Sequence, residues 1–316
     1  MLKGITLIRG IAAFFIVGCH INLAERTPGG SAVTHFCDMN VGLFAALSGF
    51  LMWKGAKAED WMPYARKRCE RLLPPYAVWT VVYLIVGIVF DLLIRHAVSP
   101  DRLDWNRLPW VILFGGASCH LWFVICLFYA QIVFASLCWI IKGWMAIILS
   151  CIGVLAIFLF PESWYAKYPL RLLAFLIGGY GLRSFLGSRI AQSARKSLFV
   201  FGFVLLLAVA HVKLSSIMPG FVRDWLIVFP IIVGFVYMPI VNARISMIVE
   251  WLGATSMGVF LVHPIITAGM HIVADRIFVK PFGVFPVALD WTVCWMIAIV
   301  VATIALKTPY IRKFWK

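Results

Sequence analysis

Two ionisable residues stand out in the first apolar segment. Arg9 and His20 are eleven residues apart in IRGIAAFFIVGCH. On a helix this spacing puts them on one face, about 16 Å apart along the axis, so they can contact two parts of one elongated ligand. An imidazole can move protons near neutral pH, whereas a guanidinium stays charged and binds anions. The structural alternatives are snorkelling of Arg9 to the cytoplasmic surface and a helix–helix hydrogen bond from His20.

Two further histidines lie in other apolar segments, at a depth similar to that of His20. His120 begins the fourth apolar segment, and His263 lies thirteen residues after Glu250 in the ninth. We expect both to meet His20 in the outer half of a helical bundle and to form a polar cavity with it. A three-histidine zinc site is the alternative, but no carboxylate pattern accompanies these residues, and we predict no metal.

A basic cluster precedes the third apolar segment. It consists of Arg66, Lys67, Arg68 and Arg71, and the prolines that follow are expected to start a new helix. Arg68 and Arg71 are three residues apart and share a helix face. Guanidinium groups bind phosphate through paired hydrogen bonds, so the cluster is a candidate phosphate site. It is equally typical of a cytoplasmic loop or of binding to anionic lipids.

The elements that position these residues follow from composition. Of 316 residues, 63% are apolar and 13% are charged, and the mean hydropathy is +0.97. Soluble domains are about half apolar and a quarter charged, which excludes a soluble enzyme, a secreted disulfide scaffold and a disordered chain. Apolar segments of membrane-spanning length cover residues 5–24, 38–53, 72–94, 119–141, 143–160, 168–187, 197–217, 222–242, 247–270 and 284–306.

This pattern predicts an all-α, polytopic membrane helix bundle with about ten transmembrane helices. Lys and Arg are more frequent on the loops that share a side with the termini, so we place both termini in the cytoplasm. We expect residues 1–316 to form a single transmembrane domain with no soluble domain. Gly115-Gly116 is expected to separate a short interfacial helix, Trp105 to Leu113, from the fourth span.

The net charge of +15 and the eight cysteines have membrane-protein explanations. In this setting the positive charge indicates topology and anion binding rather than nucleic acid. The cysteines show no metal spacing, and most lie in apolar runs as small hydrophobic residues. Cys37 and Cys119 both map to the outer ends of spans, so a disulfide between them is an alternative to free thiols.

Five segments together resemble the integral-membrane acyltransferase-3 family. The segments are IRGIAAFFIVGCH with Arg9 and His20, GLFAALSGFLMW at 42–53, RKRCERLLPPY at 66–76, HLWF at 120–123 and LGATSMGVFLVHP at 252–264. They occur in the family's order over residues 9–264. The resemblance implies ten core helices and the transfer of an acyl group, usually acetyl from acetyl-CoA, to a carbohydrate hydroxyl.

The resemblance also implies a role for each candidate residue. Arg68 and Arg71, helped by Arg66 and Lys67, would bind the phosphates of acyl-CoA, and Arg9 would hold its nucleotide or pantetheine part. His20 and Arg9 are the expected catalytic residues, and His20 would act as general base or be acylated itself. The expected cavity residues are His120, Trp122, Ser48, His263 and Ser256, with Trp122, Ser48 and His120 as candidate oxyanion donors.

The expected partners are acyl-CoA as donor substrate, a carbohydrate or lipid-linked glycan as acceptor, and membrane lipid. Neither a tightly bound cofactor nor a nucleic-acid partner is expected. Whether the protein forms homo-oligomers is left open. The expected location is a bacterial inner (plasma) membrane. The alternative function is a transporter or flippase for a glycolipid or small anionic solute, with Gly178-Gly179, Pro230 and Pro239 as helix breaks.

Overall fold

The apolar segments fold as α-helices. The computed structural model describes residues 3–21, 30–52, 61–96, 98–99, 104–138, 140–141, 143–159, 167–187, 192–213, 220–277 and 287–312. Within them the α-helices are α1 (Lys3–Gly18), α2 (Gly30–Met52), α3 (Trp61–Phe90), α4 (Leu108–Phe114), α5 (Leu121–Leu137), α6 (Gly143–Ala156), α7 (Lys167–Leu186), α8 (Ala194–Lys213), α9 (Gly220–Tyr237), α10 (Ala243–Ile277), α11 (Val287–Lys307) and α12 (Pro309–Arg312).

The predicted helical bundle is confirmed, and each of the ten predicted segments is occupied mainly by one helix. Within the described residues, four helices are long and apolar enough to cross a membrane: Gly30–Met52, Trp61–Leu93, Ala243–Ile272 and Val287–Lys307. The shorter helices Leu121–Leu137 and Gly143–Ala156 are also apolar. The cytoplasmic location of the termini stays a prediction.

Two predictions about helix breaks are wrong. The prolines of the basic cluster do not start a new helix, because α3 runs through Pro74 and Pro75 without interruption. Likewise α7 continues through Gly178-Gly179, and α9 continues through Pro230 but ends at Tyr237, just before Pro239. Helices of membrane proteins tolerate such residues because neighbouring groups satisfy the backbone carbonyl that proline leaves without a donor.

Helix α1 packs along α10, and small residues allow the two to approach closely. A side-chain carbon at Gly10 would lie 2.7 Å from Cβ of Leu252, and one at Gly253 would collide with Thr6. Close backbone contact of this kind is typical of helix pairs in membranes. The contact aligns the two helices that carry Arg9 and His263.

Helices α2 and α7 form a second close pair. Side-chain carbons at Gly49 and Gly179 would collide with the backbone carbonyls of Leu176 and Ala46, respectively. Gly179 therefore serves packing rather than a helix break. This contact holds the polar first half of α2 beside the first turns of α7.

The short helix α4 confirms the predicted break at Gly115. Gly115 has φ of 75°, the left-handed conformation that ends helices and that favours glycine. The Tyr76 hydroxyl donates to the backbone carbonyl of Ile112 at 2.6 Å and so ties α4 to α3. The turn after Gly115 leads directly to His120, the residue that precedes α5.

Candidate active site

His20 lies just beyond the first helix rather than within it, which corrects the sequence prediction. Helix α1 ends at Gly18, and the backbone N–H groups of Cys19 and His20 donate to the carbonyls of Ile16 and Val17, each at 3.1 Å. These bonds span three residues, so the chain tightens into a turn instead of continuing the α-helix. The turn places the half-buried His20 imidazole beside α10 and the start of α5.

The three histidines meet, as the sequence predicts. The ring centre of His263 lies 4.9 Å from that of His20 and 5.5 Å from that of His120. The three residues come from the end of α1, the start of α5 and the second half of α10. Within the described residues, no group of three or more His, Cys, Asp or Glu side chains is arranged to hold a metal ion.

Pro264 fixes the orientation of His263. Proline has no backbone N–H, so the carbonyl of Phe260 four residues earlier lacks its usual helical donor. That carbonyl lies 2.8 Å from Nδ1 of His263, and the carbonyl of Val259 lies 3.1 Å away. A carbonyl only accepts, so the proton is on Nδ1. Nε2 of this fully buried ring has no hydrogen-bond partner among the described residues.

His120 is held from two sides. Its Nδ1 lies 3.0 Å from the Ser118 hydroxyl oxygen, and its ring packs edge-on against Tyr83 with centres 4.9 Å apart. The Tyr83 hydroxyl donates to the carbonyl of Leu261 at 2.8 Å and so links α3 to α10 behind the histidine. Within the described part of the chain, Nε2 of His120 has no partner.

A cavity of about 370 Å³, here called the histidine cavity, opens beside His20 and His120. Trp122 lines it, and its ring packs against Tyr168 with centres 4.8 Å apart. The other lining residues are Ile16, Cys19, Thr34, His35, Asp38, Val41, Cys119, Phe123 and Phe260. A volume of this size suits a small ligand or one unit of a larger one.

Asp38 is the carboxylate of the histidine cavity, and an ion-pair network holds it. Arg171 of α7 donates to Asp38 at 3.5 Å and to Asp224 of α9 at 2.8 Å. Asp224 is buried, whereas the Asp38 side chain is 50% exposed. The guanidinium therefore anchors in the bundle and presents one carboxylate to the cavity.

A second cavity of about 300 Å³, here called the arginine cavity, lies further along α1 and α10. Arg9, Arg68 and Arg71 line it, and its other lining residues are Phe44, Leu47, Ser48, Leu51, Leu72, Phe123, Val124, Leu127, Gln131, Ser256, Met257 and Phe260. No Asp or Glu among the described residues lines it. Three guanidinium groups on a cavity whose other lining residues are mostly apolar form a site for an anionic ligand with an apolar part.

The arginines are oriented by neutral groups. Arg9 donates to the Ser256 hydroxyl at 3.4 Å. Nε of Arg68 donates to the Tyr64 hydroxyl at 2.7 Å, and its guanidinium lies 4.7 Å from the centre of that ring. Because the Tyr64 bond uses Nε, the terminal nitrogens of Arg68 are the donors that it can offer to a ligand.

The other two cations of the basic cluster lie outside the cavity. Arg66 pairs with Glu70 at 2.9 Å, and its side chain is 81% exposed. Lys67 is also exposed and does not line the arginine cavity. The helical repeat explains the division, because only Arg68 and Arg71 share the face of α3 that meets the cavity.

The two cavities share an aromatic wall. Phe123 and Phe260 line both of them, and their ring centres are 5.2 Å apart. Phe44 packs against Phe123 from the arginine side, with centres 6.3 Å apart. We call the Phe123–Phe260 pair the aromatic partition.

A family model described as an acyltransferase domain, that of the acyltransferase-3 family, matches residues 2–306. The chain belongs to the acyltransferase-3 family. No curated protein and no solved structure matches it. Family membership makes this chain a membrane acyltransferase, and the arginine and histidine cavities are its candidate active site.

The structure divides the predicted site residues of this acyltransferase between the two cavities. His20, His120 and Trp122 line the histidine cavity, and His263 contacts the first two of them. Arg9, Arg68, Arg71, Ser48 and Ser256 line the arginine cavity. The Ser48 hydroxyl donates to the carbonyl of Phe44 at 2.9 Å and does not line the histidine cavity.

Sequence reasoning missed several cavity residues of the acyltransferase. Asp38 and Thr34 lie in the first half of α2, four and eight residues before the motif at 42–53 that drew attention to this helix. Gln131 is buried on α5, and within the described residues its Oε1 has no partner. A glutamine in an apolar run was the available signal, because an unpaired amide is costly there.

The predicted option of a disulfide between Cys37 and Cys119 is not realised. Both thiols are free, with Cys37 buried and Cys119 exposed. Cys37 packs in a small cluster with Ile21, whereas Sγ of Cys119 lies 3.6 Å from Nδ1 of His20.

Proposed function

We propose that this acyltransferase moves an acyl group, most simply acetyl, from cytosolic acyl-CoA to a hydroxyl of a carbohydrate or lipid-linked glycan at the cell envelope. The observation that carries the proposal is the juxtaposition of two cavities across one aromatic partition. Arg9, Arg68 and Arg71 line one cavity. The other is lined by His20, His120 and the Asp38 carboxylate, and His263 contacts both of these histidines. Neither cavity alone accounts for both substrates.

The arginine cavity suits the donor. Acyl-CoA carries several phosphates on one end and a thioester on a long, mostly uncharged arm. Arg68 and Arg71 would bind phosphates at the mouth of the cavity, where guanidinium groups give paired hydrogen bonds. Arg9 and Gln131 also line this cavity and would contact the arm, whose amides need both donors and acceptors.

The histidine cavity suits the reaction. His20 would take the proton from the acceptor hydroxyl as its oxygen attacks the thioester carbonyl, or would itself carry the acyl group between donor and acceptor. The negative charge that develops on the carbonyl oxygen needs a donor. His120 supplies one in the tautomer that carries its proton on Nε2 and accepts from Ser118 on Nδ1.

The mouth of the histidine cavity suits a polyhydroxylated acceptor. Asp38 offers a fixed carboxylate, which accepts strong hydrogen bonds from hydroxyl groups. Thr34 and His35 add polar groups from the same helix, and Trp122 offers an aromatic face. A flat face beside a small number of polar groups is a usual arrangement for orienting a ligand.

The proposed setting is a bacterial inner membrane, with lipid around the bundle and the histidine cavity facing outward. Acyl-CoA is made in the cytosol, whereas envelope glycans are reached from the other side. A site that spans part of the membrane lets the acyl group cross without the CoA. A transporter would instead move its solute without an acyl donor.

The decisive experiment compares envelope glycans with and without the protein by mass spectrometry, looking for the gain of one acyl group. In parallel, purified His20→Ala protein should bind CoA as the wild type does but lose acyl transfer. Unchanged turnover in that variant would remove His20 from the mechanism. Solute flux in proteoliposomes that contain no acyl-CoA would favour the transporter.

A further inference from the structure

A thiol and an imidazole are neighbours inside the histidine cavity. Sγ of Cys119 lies 3.6 Å from Nδ1 of His20, and both residues line the cavity. A cysteine beside a histidine is the arrangement in which a thiol becomes a nucleophile, because the imidazole takes its proton.

Cys119 differs from the other cysteines of the chain. All eight lie in described segments, and Cys119 alone is exposed. Buried members have other partners: the thiol of Cys138 donates to the carbonyl of Ala135 at 3.2 Å, and that of Cys294 donates to Asp290 at 3.4 Å. Only Cys119 combines access to a cavity with a basic partner.

A second observation indicates that a reacting group binds beside this pair. His120 follows Cys119 directly, lines the same cavity and is 3% exposed. Its Nε2 is buried and has no hydrogen-bond partner among the described residues. A buried polar atom without a partner is costly unless a ligand satisfies it. A carbonyl oxygen held next to Cys119 would do so.

We propose that Cys119 is the transient acyl carrier of this enzyme, with His20 as the base in both half-reactions. The inference rests on the proposed function. First, His20 takes the proton of the Cys119 thiol, and the sulfur attacks the carbonyl carbon of acyl-CoA. The bond from that carbon to the CoA sulfur then breaks, and the CoA thiolate takes the proton from His20. The products are free CoA and S-acyl Cys119.

In the second half-reaction the acceptor replaces CoA. His20 takes the proton of the acceptor hydroxyl, and the oxygen attacks the acyl carbon on Cys119. The carbon–sulfur bond breaks, and His20 returns the proton to the Cys119 sulfur. The first step exchanges one thioester for another and therefore preserves the activated bond. The carrier also lets CoA leave the arginine cavity before the acceptor binds.

The labelling test needs only acetyl-CoA, and the rates of acyl transfer are measured with the acceptor that the glycan comparison identifies. Purified protein is mixed with radiolabelled acetyl-CoA, quenched in acid and digested for peptide mass spectrometry. We expect one acetyl group on Cys119, removed by neutral hydroxylamine, with release of one CoA per protein molecule. Cys119→Ala should lose the label and the CoA burst, and its acyl transfer should fall at least about 100-fold.

Cys151→Ala is the matched control, because Cys151 lies on α6 and lines neither cavity. It should keep the label, the burst and the transfer rate. CoA binding by Cys119→Ala, measured by calorimetry, shows whether that variant is folded.

A wild-type protein that transfers acetyl groups without labelling Cys119 would overturn the role of Cys119 as carrier and leave the proposed function standing. A Cys119→Ala protein that transfers at the wild-type rate would do the same. A protein that neither binds nor consumes acetyl-CoA would overturn both.

Discussion

At the scale of single residues, the arginine cavity depends on how Arg68 is held. Tyr64 binds Nε of Arg68 and also packs under its guanidinium. The tyrosine therefore fixes the plane of the Arg68 guanidinium and leaves its terminal nitrogens available to bind phosphate. A lysine at the same position would keep the charge but lose the paired geometry.

We accordingly expect Arg68→Lys to raise the dissociation constant for CoA roughly tenfold or more, since a charge-assisted hydrogen bond contributes about 1.5–3 kcal/mol. Tyr64→Phe should weaken binding in the same direction by a smaller factor. Arg66→Lys is the matched control, because Arg66 is exposed and pairs with Glu70. Calorimetry with CoA measures all three. Equal affinities for Arg68→Lys and Arg66→Lys would assign the whole cluster to topology.

Asp38 should act on the acceptor and not on the donor. Asp38→Asn keeps the shape of the side chain but removes the charge that strengthens its hydrogen bonds to hydroxyl groups. With the acceptor found by glycan mass spectrometry, KM for that acceptor should rise about tenfold, while KM for acetyl-CoA should stay constant. A change confined to the donor KM would contradict this assignment.

Sequence reasoning found the residues whose burial in an apolar segment costs free energy. Arg9, His20, His120 and His263 are ionisable groups in apolar segments, and such groups are rarely kept there without a function. Asp38 and Cys119 carry no such signal. A carboxylate near a helix start and a cysteine in an apolar protein are both ordinary, and only the packing of α2, α5 and α7 shows that they meet the cavity.

At the scale of elements, the start of α5 depends on the glycine turn before it. Gly115 adopts a left-handed conformation, and a side chain there would collide with the backbone of Leu121 and Trp122. Gly115→Ala should therefore lower thermal stability in detergent and reduce acyl transfer, because the turn positions Cys119 and His120. The left-handed conformation alone costs about 1–2 kcal/mol for a residue with a Cβ atom.

Gly116→Ala is a control one residue away. Its nearest neighbour would be Cα of Val111 at 3.4 Å, an ordinary contact, and its φ is not positive. It should leave both unfolding temperature and transfer close to wild type. Similar losses in the two variants would mean that the turn tolerates no substitution at all and that the backbone conformation of Gly115 is not the cause.

The aromatic partition, which two helices form, separates the cavities proposed for the two substrates. Phe260 comes from α10 and Phe123 from α5, so the packing of these two helices forms the wall between the cavities. Phe260→Leu removes part of the wall, and we expect acetyl-CoA hydrolysis without acceptor to rise several-fold because water reaches the thioester.

Phe134→Leu provides the comparison for this change. Phe134 is as buried as Phe260 but packs against Tyr180 and lines neither cavity. Both variants lose similar packing, so any difference between them in the release of CoA, followed with a thiol reagent, reflects the partition. Hydrolysis that stays at the wild-type rate in Phe260→Leu would show that water does not enter through this wall.

At the scale of the whole molecule, apolar composition predicted the helical bundle, because each apolar run must satisfy its backbone within a helix. It did not predict which helices are neighbours. The continuous α3 through Pro74 and Pro75, and the close pairs α1–α10 and α2–α7, depend on contacts between segments far apart in the chain. Those contacts place the two cavities on either side of the aromatic partition.

This arrangement predicts a direction for the reaction across the membrane. If the arginine cavity faces the cytoplasm, Cys119 and position 66 lie on opposite sides, at the two ends of the bundle. A membrane-impermeant maleimide should label Cys119 from outside right-side-out membrane vesicles, since its thiol is exposed. Arg66→Cys in a Cys119→Ala background should be labelled only after permeabilisation, because the Arg66 side chain is 81% exposed at the other end. Labelling in the reverse order would place the termini outside and would require the acyl donor to come from that side.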